Sequence, residues 1–236
     1  MTPQNRSTSA SDTHLVIAID GPAGSGKSSV GDLLAKRLRY VHISTGAIYR
    51  AIGWKSEQQG IAPNDIPAMQ RLIAQTTIEF RRREDGTSAM IVDGDDVSEQ
   101  LTTNEAGLRA STVAAIPEVR QSFLALQRRL GRNGGVILDG RDIGTVVFPD
   151  ADVKFYLDAS PQERAHRRFL QLQQQGRSAD LAQLIADIKQ RDHDDSTRTI
   201  APLRQAEDAV YIDSTHLTLP QVVEKMMHTV RQSTEE

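Results

Sequence analysis

The residues with the clearest chemical meaning lie in one run of eight, GPAGSGKS, at positions 21–28. Gly21, Gly26, Lys27 and Ser28 match the spacing G-x-x-x-x-G-K-[ST] of a phosphate-binding loop. Glycine reaches backbone conformations that other residues avoid, so several N–H groups can point at one anion. Lys27 adds a positive charge for the β- and γ-phosphates, and the Ser28 hydroxyl can join the ligands of Mg²⁺. The pattern predicts a nucleoside triphosphate site formed by Gly21, Pro22, Ala23, Gly24, Ser25, Gly26, Lys27, Ser28 and Ser29.

Two further sets of charged residues suit phosphoryl transfer. A metal-bound triphosphate needs a carboxylate near the metal, and Asp139, at the end of the apolar run VILD, is best placed to act there through water. A single arginine is more commonly a solvated surface charge. Of five arginines around the later strands, however, several lie beside turn and loop signals next to sheet ends, where α/β proteins bind ligands. Together they suit the clamping of a second substrate that carries a phosphate: Arg50, Arg120, Arg141, Arg191 and Arg198.

The elements that must position these residues follow an α/β order. The apolar run HLVIAID (14–20) predicts a buried parallel strand, residues 28–38 have helical spacing, and YVHIS (40–44) predicts a second strand. Strand, loop, helix and strand in this order open a doubly wound fold. The later helices and strands are predicted at 46–75, 118–131, 134–140, 152–159, 208–213 and 220–232.

Two regions depart from that alternation. The β-prone runs 77–83 and 89–94 flank an Asp-Gly turn, which predicts a hairpin in a small inserted subdomain. Residues 160–198 form two polar helical stretches separated by Gly176, with many arginines and few large apolar residues. Such stretches cover little core, and we interpret them as a mobile lid.

Composition excludes several classes of function. The chain has 236 residues, a net charge of −3 and no cysteine, which argues against nucleic-acid binding and rules out disulfides and thiolate metal sites. Residues 1–13 are small and polar, so we predict a disordered tail rather than a secretory signal. No apolar run is long enough to cross a membrane. We expect a cytoplasmic monomer.

Other phosphate-loop proteins are the main rivals. A signalling GTPase needs a guanine-reading N-K-x-D segment, and no asparagine of this chain is followed by lysine. A mechanical ATPase or a binding module would leave the five arginines unexplained. The residues therefore favour an enzyme with two phosphate-bearing substrates, whose acceptor needs no general base because a phosphate monoester is mostly dianionic at pH 7.

Seven segments together resemble the bacterial cytidylate kinases over residues 15 to about 230. The longest and most specific is DGRDIGTVVFPDA (139–151), which separates this family from adenylate and shikimate kinases. The others are IAIDGPAGSGKSS (17–29), STGAIYRA (44–51), VAAIPEVR (113–120), ERAHRR (163–168), IKQRDHDDSTRTIAPL (188–203) and EDAVYIDST (207–215).

The resemblance implies a three-layer α/β P-loop NTPase fold with a parallel core sheet, a monophosphate-binding insert and a helical lid. It implies phosphorylation of CMP and dCMP by ATP with Mg²⁺ held by Ser28 and, through water, Asp139. The implied divisions are the tail 1–13, core segments 14–50, 112–160 and 200–236, the monophosphate-binding region 51–111 and the lid 161–199.

Residue roles follow from the same resemblance. Ser111, Arg120 and Asp142 are implied to read cytosine, because a hydroxyl and a carboxylate can accept from its amino group. Contacts to the sugar are implied for Thr45, Arg191 and Asp195, and phosphate clamping for Arg50, Arg141 and Arg198. Lys27, Arg141 and Arg198 are the implied catalytic residues.

One residue departs from the family pattern. Many relatives have aspartate before the T-G-A-x-Y-R stretch, where this chain has Ser44, and we assign Ser44 no metal or catalytic role. The histidines show no metal-ligand spacing, so we interpret them as surface or hydrogen-bonded residues. Two alternatives stay open: a kinase for UMP or several monophosphates, and a regulatory P-loop NTPase.

Overall fold

A five-stranded parallel sheet forms the centre of the computed structural model, which describes residues 14–102, 104–114 and 116–235. The tail predicted at 1–13 lies outside the described residues. In chain order the elements are β1 (Val16–Asp20), α1 (Lys27–Leu38), β2 (Val41–Ser44), α2 (Thr45–Gln58), α3 (Ile66–Gln75), β3 (Ile78–Arg82), β4 (Ser88–Val92), β5 (Asp95–Asp96), a 3₁₀ turn (Gln100–Thr102), α4 (Asn104–Ala114), α5 (Pro117–Gly131), β6 (Val136–Gly140), a π-helical turn (Ile143–Val147), β7 (Val153–Asp158), α6 (Pro161–Gln174), α7 (Leu181–Thr197), β8 (Val210–Asp213) and α8 (Leu219–Glu235).

The strand order of the main sheet is β2-β6-β1-β7-β8, with every pair parallel. β1 and β6 are buried along nearly their whole length, which explains why both are continuous apolar runs. Parallel strands end at one edge of the sheet, and the register pairs Ser44 with Asp139 and Asp20 with Gly140. The predicted parallel core is confirmed, and this edge is where the phosphate-binding loop begins.

Helices cover both faces of the sheet, as the predicted three-layer fold requires. On one face the core includes Ile48 and Ile52 of α2 and Phe123 of α5. On the other face α1 and α8 pack together, with Leu34 and Met226 fully buried. Burial of these side chains supplies most of the free energy that holds the layers together.

The inserted hairpin is confirmed and is one strand larger than predicted. β3 and β4 pair antiparallel, Gly86 at the turn has a positive φ of 84°, and β5 adds a short third strand. Helix α4 and the π-helical turn at 143–147 were not among the predicted elements. Neither segment has a strong local signal, because α4 carries glycine and β-branched residues and the π-helical turn depends on distant contacts.

Helices α6 and α7 match the two predicted polar stretches. Ser160 caps α6 through the N–H of Glu163, and Asp180 caps α7 through the N–H of Ala182. The two helices pack on each other, yet α7 has no buried residue. None of the helices in the described chain is long and apolar enough to span a membrane.

Candidate active site

The phosphate-binding loop joins β1 to α1 at the carboxyl edge of the sheet. Gly24 and Gly26 have φ values of 78° and 96°, which are left-handed conformations that favour glycine. Gly21 is required for a second reason, since a Cβ on it would lie 2.0 Å from the carbonyl oxygen of Leu157 in β7. The loop lies where the sequence pattern predicts it, and the nine residues predicted to bind the triphosphate lie between the end of β1 and the first turn of α1.

Lys27 is held inside the loop. Its Nζ donates to the Pro22 carbonyl at 2.6 Å and to the Ser25 hydroxyl at 3.4 Å, and its side chain is buried. Burial and the charge of Arg141 lower the pKa of the Lys27 ammonium well below its usual value. A buried cation of this kind is stabilised by an adjacent anion, as a triphosphate would be.

Asp139 lies at the centre of a set of hydrogen bonds. Its carboxylate accepts from the Ser44 hydroxyl at 3.1 Å, from the Ser28 hydroxyl and from Nε2 of His42 at 3.0 Å. Burial opposes its charge, but the His42 bond and the charges of His42 and Lys27 outweigh burial and hold the pKa of Asp139 far below its usual range. Asp139 is therefore ionised at neutral pH.

His42 was not predicted to lie near the site. Its Nδ1 bonds to Asp32 at 2.8 Å while Nε2 bonds to Asp139, so both ring nitrogens donate and the ring is an imidazolium. Burial lowers the pKa of His42, but the two carboxylates outweigh burial and raise it to about 9. The interpretation of the histidines as hydrogen-bonded residues is correct for His42, although spacing gave no hint of its partners.

The oxygen ligands near Lys27 suit Mg²⁺ held jointly with a nucleotide. Ser28 offers a hydroxyl and Asp139 an ionised carboxylate, and Mg²⁺ prefers oxygen ligands and keeps several waters. Within the described ranges no cluster of three or more histidine, cysteine, aspartate or glutamate residues is arranged to hold a metal by itself. The donor set therefore fits an ion that arrives with phosphates.

Asp20 links the loop to the segment that follows β6. Its carboxylate accepts from the N–H groups of Ile143 and Gly144 at 2.8 and 2.7 Å, which caps the π-helical turn. Burial raises the pKa of Asp20 to about 6, against the lowering effect of these two bonds. Asp20 was not among the predicted site residues, since its partners are more than 120 residues away in the sequence.

A pocket of about 340 Å³ lies on the other side of that segment. Its lining includes Tyr49, Arg120 and Asp142, and Arg120 Nη2 donates to Asp142 Oδ2 at 2.9 Å. The Arg120 guanidinium also lies 5.7 Å from the centre of the Tyr49 ring, within range of a cation–π contact. The carboxylate and guanidinium are therefore fixed side by side at the pocket wall.

Helix α7 and the residue after it bring Asp195 and Arg198 close to Arg141, which follows β6, and to Asp142. Asp195 accepts from Nε of Arg141 at 2.7 Å, and Arg198 lies 3.6 Å from Asp142 and 3.7 Å from Asp195. Burial lowers the pKa of Arg198, the nearby charge of Arg120 lowers it further, and its Nη2 is a buried donor with no hydrogen-bond partner. The Arg198 Nε donates to the Ala201 carbonyl, whereas its Nη2 makes only a long ion pair to Asp142 and can still donate to an anion.

The remaining predicted residues lie around the same edge. Arg50 on α2 has a buried Nε without a hydrogen-bond partner, and Thr45 donates its hydroxyl to the Asp139 carbonyl at 2.7 Å. Arg191 on α7 is exposed and interacts electrostatically with Arg141 and Arg50. The side chain of Ser111, on α4, lies outside the described part of the chain. The sugar and base contacts assigned to these residues stay predictions.

Comparison with known proteins identifies the family. The cytidylate kinase family model matches residues 17–232. A cytidylate kinase of Geobacter sp. (strain M21) is 52% identical over 92% of this chain and 93% of its own length, and one of Caldicellulosiruptor saccharolyticus is 47% identical over 89% and 93%.

More distant similarities add two facts. A bifunctional pantoate ligase/cytidylate kinase of Synechococcus elongatus is 44% identical over 92% of this chain, which corresponds to 42% of that longer protein. A solved gluconokinase from Sinorhizobium meliloti 1021 has a TM-score of 0.48 at 15% identity over 94% of each chain, too weak a likeness to refine the assignment. The match along nearly its whole length shows that this chain belongs to the cytidylate kinase family and is a kinase.

Proposed function

We propose that this enzyme transfers the γ-phosphoryl group of ATP to CMP or dCMP and releases ADP and CDP or dCDP. One observation supports this proposal above the others: two buried arginine nitrogens, Nε of Arg50 and Nη2 of Arg198, have no hydrogen-bond partner. Buried donors are nearly always satisfied, so these two favour an anionic ligand beside the pocket of Arg120 and Asp142. A nucleoside monophosphate supplies both the phosphate and a base.

The donor half is the loop at 21–28. Loop N–H groups and the N-terminus of α1 favour a triphosphate, and Lys27 would exchange its bond to the Pro22 carbonyl for phosphate oxygens. When bound, Mg²⁺ neutralises charge on the β- and γ-phosphates, and Ser28 and Asp139 are the residues that would hold it.

The acceptor half selects cytosine through the hydrogen-bonding groups on one edge of the base. Asp142 accepts hydrogen bonds only, so it suits the amino group of cytosine and repels the carbonyl oxygen that uracil has in its place. Arg120 donates to the acceptor atoms of the ring, and Ser111 is proposed to assist. The ion pair between Arg120 and Asp142 sets their spacing before the base arrives.

The transfer needs positioning and charge neutralisation rather than a base. The acceptor phosphate is mostly dianionic at pH 7, so its oxygen can attack without losing a proton. Arg50, Arg141 and Arg198 would hold that phosphate in line with the γ-phosphorus and stabilise the charge that builds in the transition state. Thr45, Arg191 and Asp195 are proposed to contact the sugar.

We further propose that α6 and α7, within residues 161–199, act as a lid over the core segments 14–50, 112–160 and 200–236. The monophosphate region would be 51–111. The exposed character of α7 and its ion pairs to Arg141 and Arg164 support this role. Closure would expel water so that the phosphoryl group passes to CMP rather than to solvent. A monomeric, cytoplasmic enzyme is expected.

An acceptor panel tests the proposal. Purified protein is incubated with ATP and Mg²⁺ plus CMP, dCMP, UMP or AMP, and each diphosphate product is measured directly alongside ADP. We expect CDP and dCDP, with UMP and AMP poor substrates. Comparable UDP formation would indicate a kinase for several monophosphates. ADP released together with an equal amount of inorganic phosphate, without CDP, dCDP or UDP, would indicate a regulatory NTPase. Lys27→Ala serves as the inactive control.

A further inference from the structure

Arg164 makes an unusual set of contacts outside the acceptor pocket. Its side chain is 3% exposed, and its Nε donates to the Ala159 carbonyl at 2.8 Å. Nη1 donates at 2.9 Å to the carbonyl of Ala23 in the phosphate-binding loop. The guanidinium also forms a two-pronged pair with Asp192 of α7, with N–O distances of 2.9 and 2.5 Å. One side chain therefore joins the loop, the start of α6 and the middle of α7.

Burial of the Arg164 guanidinium at this position costs free energy unless these contacts are kept. It lies in the first turn of α6, where the helix dipole disfavours a positive charge, and it is almost completely desolvated. Two carbonyls and one carboxylate compensate for both effects. Of these three partners only the Asp192 carboxylate carries a negative charge. The buried guanidinium is therefore stable chiefly while α7 lies over the core.

Helix α7 packs on α6, but it makes few other contacts with the core apart from its ion pairs. None of its residues is buried, and a cavity of about 500 Å³ lies between its C-terminal half and the carboxyl ends of β7 and β8. His193 and Ser196 line that cavity rather than packing into a core. Partly buried apolar residues of α7 and its packing on α6 hold the helix to its neighbour, and the ion pairs join it to the core.

The ion pairs of α7 are of two kinds. Asp195 and the neighbouring Arg198 pair with Arg141 and Asp142, which belong to the proposed acceptor site and would change partners when CMP binds. The pair of Arg164 and Asp192 contacts the donor loop instead. Arg164 also packs against Gly24 of the donor loop, since a Cβ on Gly24 would lie 3.4 Å from Cβ of Arg164.

From these contacts we propose that Arg164 and Asp192 are positioning residues that couple α7 to the phosphate-binding loop. With the pair formed, the loop is held in the shape that binds ATP, and ATP binding in turn favours the placement of α7 over the core. This inference rests on the proposed lid and extends it, because it assigns the coupling to one ion pair on the donor side. The coupling is reciprocal, as any linkage between two binding equilibria must be.

The test compares Asp192→Ala with Asp194→Asn. Asp194 is an exposed carboxylate on the same helix that accepts from Gln190. For each variant, calorimetry measures the affinity for a non-hydrolysable ATP analogue with Mg²⁺, and hydrogen exchange measures protection of residues 21–26 and 181–197 with and without the analogue. We expect Asp192→Ala to weaken the analogue about tenfold or more, within the usual range of coupling between sites. The analogue should then fail to protect α7 from exchange, whereas it should still protect α7 in Asp194→Asn.

A purely structural ion pair would behave differently. It would lower the unfolding temperature but leave analogue affinity and α7 protection as in Asp194→Asn, and that result would overturn the proposal. Should Asp192→Ala fold poorly, Asp192→Asn retains one acceptor for the guanidinium and carries the same comparison. Analogue binding needs no acceptor, so the outcome stands apart from the CMP assay, which alone decides the proposed function.

Discussion

The donor loop and the acceptor pocket are built in opposite ways. The loop is eight consecutive residues whose donors are mostly main-chain N–H groups, and its one charged side chain, Lys27, bonds back to the loop itself. In and beside the proposed acceptor pocket the groups are side chains from several distant elements, and most are paired with one another: Arg120 with Asp142, and Arg141 with Asp195.

This difference separates affinity from selectivity. A loop of main-chain donors is preorganised and does not contact the base. It therefore needs little reorganisation free energy to bind any nucleoside triphosphate. A pocket of paired side chains must exchange its internal ion pairs for ligand contacts, so it binds well only a ligand that replaces them all. We therefore expect changes in the loop to affect all acceptors equally, and changes in the pocket to affect the choice among them.

The largest effect is expected for Lys27→Ala. Loss of the charge at the β- and γ-phosphates should lower kcat about 100- to 1000-fold, because the stabilised charge grows in the transition state. The drop should be the same with CMP, dCMP and UMP, measured by steady-state kinetics. The exposed Lys36→Ala on the same helix is the control. A drop that depended on the acceptor would show that the two halves are not separable.

The next effect concerns stability rather than turnover, and it involves His42, which bonds to Asp139. The pKa of His42 is raised to about 9 in the folded protein, above its ordinary 6.5. Its contribution to stability is therefore complete below pH 6.5 and is lost as pH rises through 9, a loss of about 3 kcal/mol. Urea unfolding of the wild type and His42→Gln at pH 6 and pH 9.5 measures this loss.

His42→Gln should lack most of that pH dependence, whereas His216→Gln, which changes an exposed histidine, should keep it. Equal slopes in all three proteins between these pH values would mean that His42 is not charged by its two carboxylates.

A smaller but more selective effect is expected for Asp142. Asp142→Ala should cost about 1–3 kcal/mol of discrimination between CMP and UMP, with KM for ATP nearly unchanged. Asp142→Asn should shift the ratio further toward UMP, because an amide N–H can donate to the uracil carbonyl. The ratio of kcat/KM for the two acceptors measures the effect. Unchanged selectivity in both variants would remove Asp142 from the base site.

The smallest effect is expected for Ser44, the residue that departs from the family pattern. Its hydroxyl is one of three donors to Asp139, and the side chain is only partly buried, so water can replace it. Ser44→Ala should cost about 1 kcal/mol, which corresponds to a roughly fivefold higher Mg²⁺ concentration for half-maximal activity. Titration of Mg²⁺ at fixed ATP measures this shift, and a loss of activity at saturating Mg²⁺ would instead give Ser44 a direct role.

The same contrast explains what could be predicted from the sequence. The loop is contiguous and follows a strand, so eight neighbouring residues were enough to predict it. Asp20 and His42 were not predicted because each gains a decisive partner from a distant part of the chain. Asp20 meets Ile143 and Gly144, and His42 meets Asp139 as well as the nearer Asp32. The acceptor roles of Asp142 and Asp195 are predictions from resemblance alone, since no spacing rule links residues 53 apart.

Gly21 carries two independent requirements in one position. Its backbone begins the phosphate-binding loop, while the carbonyl of Leu157 in β7 occupies the space where any side chain would start. Replacing it would therefore push two central strands apart whether or not a nucleotide is present. A substitution at Gly21 therefore tests the packing of the sheet as well as nucleotide binding. A variant redesigned to bind no nucleotide would still need glycine at this position.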